Sequence, residues 1–167
     1  WNMDLPGAPL LADLTVDGRE IKAVAVPTKQ SMLYIFDRET GEPVFPIEER
    51  PVPQGDVPGE WYSPTQPIPT KPPPYSRNEI KIPDDLIDFT PELRAEAIEV
   101  MKRFKVGPVF TPPIRGDVDG LTATAAMGAM GGGTNWPGAG FDPETGIFYS
   151  HANNSSVNQL SITEPPE

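Results

Sequence analysis

One turn cassette occurs twice in this chain. Phe36-Asp37-Arg38-Glu39-Thr40-Gly41 and Phe141-Asp142-Pro143-Glu144-Thr145-Gly146 share the pattern Phe-Asp-x-Glu-Thr-Gly. Each sits among strand-forming residues: Leu33-Tyr34-Ile35 ahead of the first, Ile147-Phe148-Tyr149 behind the second. The pattern predicts a tight turn joining two strands. A strand–turn–strand unit used twice points to repeat architecture. The second copy follows a glycine run, Gly131-Gly132-Gly133-Thr134-Asn135-Trp136. Glycines let backbone lie close to a flat or bulky group. Asn adds a donor and an acceptor, and Trp a broad apolar face.

The first 45 residues predict a four-strand antiparallel meander. Leu10–Val16 and Ile21–Val26 flank Asp17-Gly18, a strong hairpin signal. Pro27-Thr28-Lys29-Gln30-Ser31 leads to a second hairpin, Met32–Phe36 with Glu42–Phe45. Four strands in roughly 40 residues match one propeller blade.

The next stretch differs in kind. Twelve of the 23 prolines fall between residues 43 and 83. Proline fixes φ and donates no hydrogen bond, which excludes a central strand here. Trp61, Tyr62 and Ile68 favour a long, semi-rigid loop packed over a larger body, against a free polyproline recognition motif. One helix is expected, over 90–105. Thr90 is a suitable N-cap, Pro91 suits the first helical position, and Gly107-Pro108 follows. Leu93, Ala97, Val100, Met101 and Phe104 form its apolar stripe, expected to dock on the protein body. Farther on, Val109-Phe110-Thr111 reads as a short strand and Ala123–Met130 as tightly packed, small-residue material. Strands are expected at Gly146–His151 and Val157–Ile162, and Thr163–Glu167 reads as a frayed tail.

Composition removes several functions. There is no cysteine, which excludes disulfides, zinc-thiolate sites and a cysteine nucleophile. A single histidine, His151, excludes His-rich metal sites. With 24 acidic against 13 basic residues, and no basic cluster, a nucleic-acid partner is not expected. No apolar run is long enough to span a membrane. The opening Trp1-Asn2-Met3-Asp4-Leu5-Pro6 reads as the interior of a longer polypeptide.

Several of these segments, in this order, resemble the pyrroloquinoline-quinone (PQQ) dependent dehydrogenases, the quinoprotein glucose and alcohol dehydrogenases. The resemblance rests on Trp1-Asn2-Met3-Asp4-Leu5-Pro6, Pro27-Thr28-Lys29-Gln30, Tyr34 to Gly41, and Pro51-Val52-Pro53-Gln54-Gly55. It continues through Ser63-Pro64-Thr65-Gln66-Pro67, Phe110-Thr111-Pro112-Pro113 and Gly133-Thr134-Asn135-Trp136-Pro137-Gly138. The long Pro-rich segment looks most like the membrane-type glucose dehydrogenase branch.

The family fold is an eight-bladed propeller holding PQQ and a divalent ion. The resemblance therefore implies a mainly β partial propeller, about two blades of antiparallel strands, with one Pro-rich loop and one helix. It divides the chain into a blade over 1–45, a Pro-rich insertion with the helix over 46–113, and further blade material over 114–167. The remaining blades are expected on another or longer polypeptide, with this chain a C-terminal piece.

The resemblance also implies chemistry. An alcohol or sugar would lose a hydroxyl proton to a carboxylate and a hydride to PQQ, with the metal acting as Lewis acid. Lys29 matches the family's cation at the quinone oxygens. Asn135 and Trp136 match its Asn-Trp beside the cofactor. Where the family has Trp-Asp-x-Asp, this chain has Trp1-Asn2-Met3-Asp4. Asn2 thus stands at the position of the catalytic base, and a neutral amide cannot take the proton. Its carbonyl oxygen is still a possible ligand for calcium or another large ion. Asp4, on the same face of an extended segment, is the candidate metal ligand or substitute base. The resemblance further implies a quinone or cytochrome acceptor and a periplasmic or otherwise extracytoplasmic location. The competing reading is a catalytically silent propeller module that kept the scaffold and lost the base.

Overall fold

A computed structural model describes residues 3–116, 119–127, 132–154 and 157–163. Asn2, one of the candidate site residues, lies outside the described residues.

The first hairpin forms where its turn demands. β1 (Leu10–Val16) pairs antiparallel with β2 (Arg19–Pro27), from Leu10 opposite Ala25 to Val16 opposite Arg19. Only Asp17 and Gly18 lie between the strands, at φ 50° and 76°. Positive φ at both centres gives the turn a twist that matches the strands. Along β2 the inward positions Ile21, Ala23 and Ala25 are buried, the two-residue period of a strand with one covered face. β3 (Leu33–Asp37) adds on the other side of β2.

The expected fourth strand is reduced to one bridge, Phe36 to Pro43, with Val44 N–H donating to Ile35 O at 2.9 Å. Pro43 and Pro46 bracket the segment and cannot donate to a ladder, so pairing stops there.

Both cassettes form the same turn. Gly41 N–H donates to Asp37 O at 2.8 Å, and Gly146 N–H to Asp142 O at 2.9 Å. Both glycines have positive φ, 81° and 68°. In each copy the Asp carboxylate accepts from the backbone N–H two residues on, Glu39 at 2.8 Å and Glu144 at 3.0 Å. This is the local hydrogen bond that makes Asp a turn residue.

The Pro-rich segment is more ordered than a loop. β4 (Ile47–Pro51) and β5 (Thr65–Pro69) pair antiparallel as a separate ribbon. In a two-stranded ribbon both strands are edges, where proline is tolerated. Trp61 does not help to pack it, being 81% exposed.

The helix, α1, is shorter than expected, Pro91–Met101. Its start follows the expected rule: Thr90 Oγ1 accepts from Leu93 N–H at 3.2 Å, with Pro91 in the first turn. Its end does not wait for Gly107. Phe104 and Lys105 form β6, paired parallel with Ala123 and Thr124. No residue of α1 is buried, and Leu93 and Val100 are exposed, so the apolar stripe is not docked as expected.

The strand expected at Val109–Thr111 is a turn instead, with Phe110 at φ 73° and Thr111 N–H donating to Pro108 O at 3.1 Å. The short strand comes later, as β7 (Ile114–Arg115). Of the stretch expected to be tightly packed, Ala123–Ala126 is a buried strand, β8, and 128–130 lie outside the described residues. β9 (Ala139–Asp142) and β10 (Ile147–Ser150) form the hairpin of the second cassette. β11 (Asn158–Ile162) joins β8 and β7 in a mixed sheet ordered β6-β8-β11-β7. The result is mainly β, with small alanines and Ile21, Leu33, Phe110 and Ile114 in its core.

Candidate functional site

The link between β2 and β3 is polar, yet among the described residues it is the longest continuously buried run. Thr28, Lys29, Gln30 and Ser31 are each no more than 6% exposed. Buried polar groups need partners, and three distant segments supply most of them, while Gln30 Oε1 and Ser31 Oγ are buried without one. The loop first closes on itself: Ser31 N–H donates to Thr28 O at 3.0 Å, and Thr28 Oγ1 donates to Met32 O at 2.9 Å. Ser31 takes φ 60°, uncommon for a residue with a Cβ.

The glycine run supplies the first partner. Gly133 N–H donates to Lys29 O at 2.8 Å, and Thr134 N–H to Thr28 O at 3.3 Å. The approach is possible only without side chains. A Cβ on Gly132 would lie 2.4 Å from Lys29 Cγ, and one on Gly133 would lie 1.9 Å from Ser31 Oγ.

The segment at 3–7 supplies the second. Gln30 Nε2 donates to Met3 O at 2.9 Å. Lys29 Nζ meets Asp4 Oδ1 at 2.5 Å. The lysine side chain is 7% exposed, whereas that of Asp4 is 60% exposed. The hydrogen bond from Lys29 holds the Asp4 carboxyl below its ordinary range. A buried ammonium without such a partner would be costly. Beside the pair, Met3, Leu5, Tyr34, Phe36 and Phe110 line a cavity of about 400 Å³.

The third partner is the stretch after the triproline. Tyr75 N–H donates to Ser31 O at 3.0 Å, and Asn78 Nδ2 to Gln30 O at 2.8 Å. The Tyr75 hydroxyl reaches both Thr28 and Thr134.

Asn135 and Trp136 continue from the same glycine segment. Asn135 Oδ1 accepts from Trp136 N–H at 2.8 Å, and Asn135 O from Gly138 N–H at 2.9 Å. The Asn135 carbonyl also faces Gly7, where an added Cβ would stand 3.5 Å away. Trp136 is 77% exposed, so its ring is not core packing. The structure thus gathers Asp4 and Lys29 in contact, with Asn135 and Trp136 on the strip that braces the lysine loop. Among the described residues no group of three or more His, Cys, Asp or Glu stands together as a metal site. Calcium at Asp4 would need ligands from elsewhere.

Tyr75 and Asn78 are not legible as site residues, whereas Thr134 lies in the glycine-run segment expected to face a cofactor. The one available signal was an aromatic placed directly after Pro72-Pro73-Pro74, where a stiff lead-in fixes its direction.

The family model described as "PQQ: Glucose/ethanol/alcohol dehydrogenase, beta-propeller domain" matches residues 1–166. The chain belongs to this family of quinoprotein dehydrogenases, whose cofactor is PQQ. It is 31% identical to the glycerol dehydrogenase large subunit of Gluconobacter oxydans (strain 621H), over 98% of this chain and 21% of that protein. It is 32% identical to the quinate/shikimate dehydrogenase (quinone) of Acinetobacter baylyi (strain ATCC 33305 / BD413 / ADP1), over 86% of this chain and 17% of that protein. Over a shorter stretch, 41% of this chain and 8% of the relative, it is 46% identical to the quinoprotein glucose dehydrogenase of Escherichia coli (strain K12). The chain therefore spans about a fifth or less of the length of these curated relatives. No solved structure matches it.

Proposed function

We propose that this chain forms part of a dehydrogenase that oxidises an alcohol or sugar with PQQ, passing electrons to a quinone or cytochrome outside the cytoplasm. The observation that carries the reading is the buried Lys29 ammonium held on an exposed carboxylate. Quinone carbonyls are acceptors, and a fixed cationic donor suits them. The residues fit the group: glycines 132 and 133 bring backbone against the lysine loop, and Trp136 offers an uncovered aromatic face.

PQQ, when bound, supplies the two-electron acceptor for the hydride. Lys29 would donate to its quinone oxygens, with Asn135 and Trp136 beside it. Asp4 is the described carboxylate nearest this work. Its exposed side can accept a substrate proton or ligate calcium or another large ion, with Asn2 offering an amide oxygen at most. The remaining blades would come from another or longer polypeptide.

Asn2 in place of the expected acid favours a second reading, a silent propeller module. One experiment separates the two. The full-length protein is titrated with PQQ and calcium while the absorbance of bound cofactor is followed, and dye-linked oxidation of glucose and simple alcohols is then measured. Saturable binding lost in Lys29→Ala supports the proposal, and absence of binding refutes it. Binding without turnover, restored by Asn2→Asp, assigns the silent reading.

A further inference from the structure

The Tyr75 hydroxyl occupies a position the proposed chemistry does not use. It accepts from Thr28 N–H at 3.2 Å and stands 3.0 Å from Thr28 O and 2.7 Å from Thr134 Oγ1. Counting protons orders the cluster. Thr134 Oγ1 lies 2.6 Å from the His151 carbonyl, which has no hydrogen to give, so Thr134 donates there. Its oxygen is then an acceptor, and Tyr75 or Ser150, 2.9 Å away, fills it. One hydroxyl therefore ties together the residue before Lys29, the residue after Gly133 and the stretch that follows the triproline.

We infer that Tyr75 is a positioning residue: through Thr28 and Thr134 it sets where the Lys29 ammonium points. The backbone geometry carries this. Lys29 has a long flexible stem, and its placement depends on the peptide at its base. That peptide is gripped on one side by Gly133 N–H and on the other by the Thr28–Tyr75 pair. Tyr75 N–H and Asn78 Nδ2 add bonds to Ser31 O and Gln30 O, so residues 75–78 touch three of the loop's four residues. The Pro-rich insertion, with no catalytic group of its own in this scheme, becomes the jig for the cation. A Tyr75 that served only stability would leave cofactor affinity alone once the protein is folded.

The inference rests on Lys29 holding the cofactor, and its test keeps the two apart. Full-length apoprotein is prepared as wild type, Tyr75→Phe, Asn78→Ala, Lys29→Ala and the double variant Tyr75→Phe/Lys29→Ala. Each is titrated with PQQ and followed by absorbance, with melting of the apoprotein and backbone amide exchange of residues 28–31 measured alongside. Expected for Tyr75→Phe are a folded apoprotein, faster exchange confined to the loop, and PQQ affinity lower by about two- to tenfold. The double variant should bind no more weakly than Lys29→Ala alone, because Tyr75 acts through the lysine. If Lys29→Ala weakens binding while Tyr75→Phe and Asn78→Ala do not, the positioning role is overturned. Additive losses in the double variant overturn it too. Failure of both loop variants to fold assigns these residues to stability and also overturns it. If Lys29→Ala itself has no effect, the proposed function fails.

Discussion

Lys29 and Asp4 form an unequal pair: the ammonium is buried, the carboxylate faces solvent, and 2.5 Å separates them. The asymmetry assigns dependence. Lys29 is the desolvated member, for which a carboxylate partner offsets burial, whereas Asp4 could be hydrated without it. The pair also has a pH signature. The carboxyl is held below its ordinary 3.8, chiefly by the hydrogen bond from Lys29. A carboxyl with a lowered native value contributes stability that is fully present above the unfolded value. That contribution disappears as pH falls through the native value. The melting temperature of the wild type relative to Asp4→Asn should thus be constant from neutral pH down to about 5, then converge below about 4. A difference that grows on acidification would contradict the assignment.

Gly132 and Gly18 have nearly the same φ, 70° and 76°, and separate conformation from space. Nothing lies within 4 Å of a Cβ placed on Gly18, so Gly18→Ala should cost only the left-handed backbone, about 1 kcal/mol. A Cβ on Gly132 would meet Lys29 at 2.4 Å, 2.6 Å and 2.8 Å from Cγ, Cβ and Cα. The Cα belongs to backbone and cannot rotate away. Gly132→Ala should cost roughly 2–4 kcal/mol in urea unfolding, adding overpacking to the backbone term, and should lower PQQ affinity as well. Equal costs for the two substitutions would show that the lysine loop yields easily.

How much of this was legible in the sequence depended on where each hydrogen bond ends. The two cassettes and Asp17-Gly18 were readable because their partners lie within five residues. The fourth strand is not legible because apolar Val44 and Phe45 mimic a strand between prolines that end the pairing. The helix end is not legible because Phe104 fits the apolar stripe, while pairing of β6 with Ala123 and Thr124 claims Phe104 and Lys105. The lysine loop is legible as a link and, through the resemblance, as the seat of a cofactor-facing cation, but not as a buried hub. Its partners lie 47 and 59 residues from their mates, at Thr28–Tyr75 and Tyr75–Thr134, and no local pattern encodes that. Lys29 and Asp4 each stand out through the resemblance, but 25 positions separate them and their pairing is not legible.

The second cassette predicts a local, function-neutral loss. Asp142 accepts from Glu144 N–H at 3.0 Å and from Thr145 Oγ1 at 2.7 Å, and the bond from Thr145 holds its carboxyl low. Asp142→Ala removes both acceptors at an exposed turn and should lower the denaturation midpoint slightly. Asp37→Ala should cost a similar amount, since Asp37 caps its turn through Glu39 and Thr40 N–H. Denaturation midpoints measure both. Neither variant should change PQQ affinity, because these turns are scaffold, and a loss of binding would place one of them at the cofactor.

Trp136 gives the opposite dissociation. A ring that is 77% exposed makes little contribution to folding, so Trp136→Ala should shift stability by no more than about 0.5 kcal/mol. Trp136 continues the strip that braces Lys29, and under the proposed function its open face would stack on the cofactor. Loss of an aromatic platform from a flat bound ring is worth about 0.5–1.5 kcal/mol beyond the area it covers. PQQ should therefore bind Trp136→Ala at least about threefold more weakly, with Trp136→Phe intermediate. Quenching of tryptophan emission on PQQ addition gives an independent readout, and Trp1 and Trp61 remain as internal controls in the variant. If quenching and affinity both survive Trp136→Ala, the exposed indole serves another contact and not the cofactor.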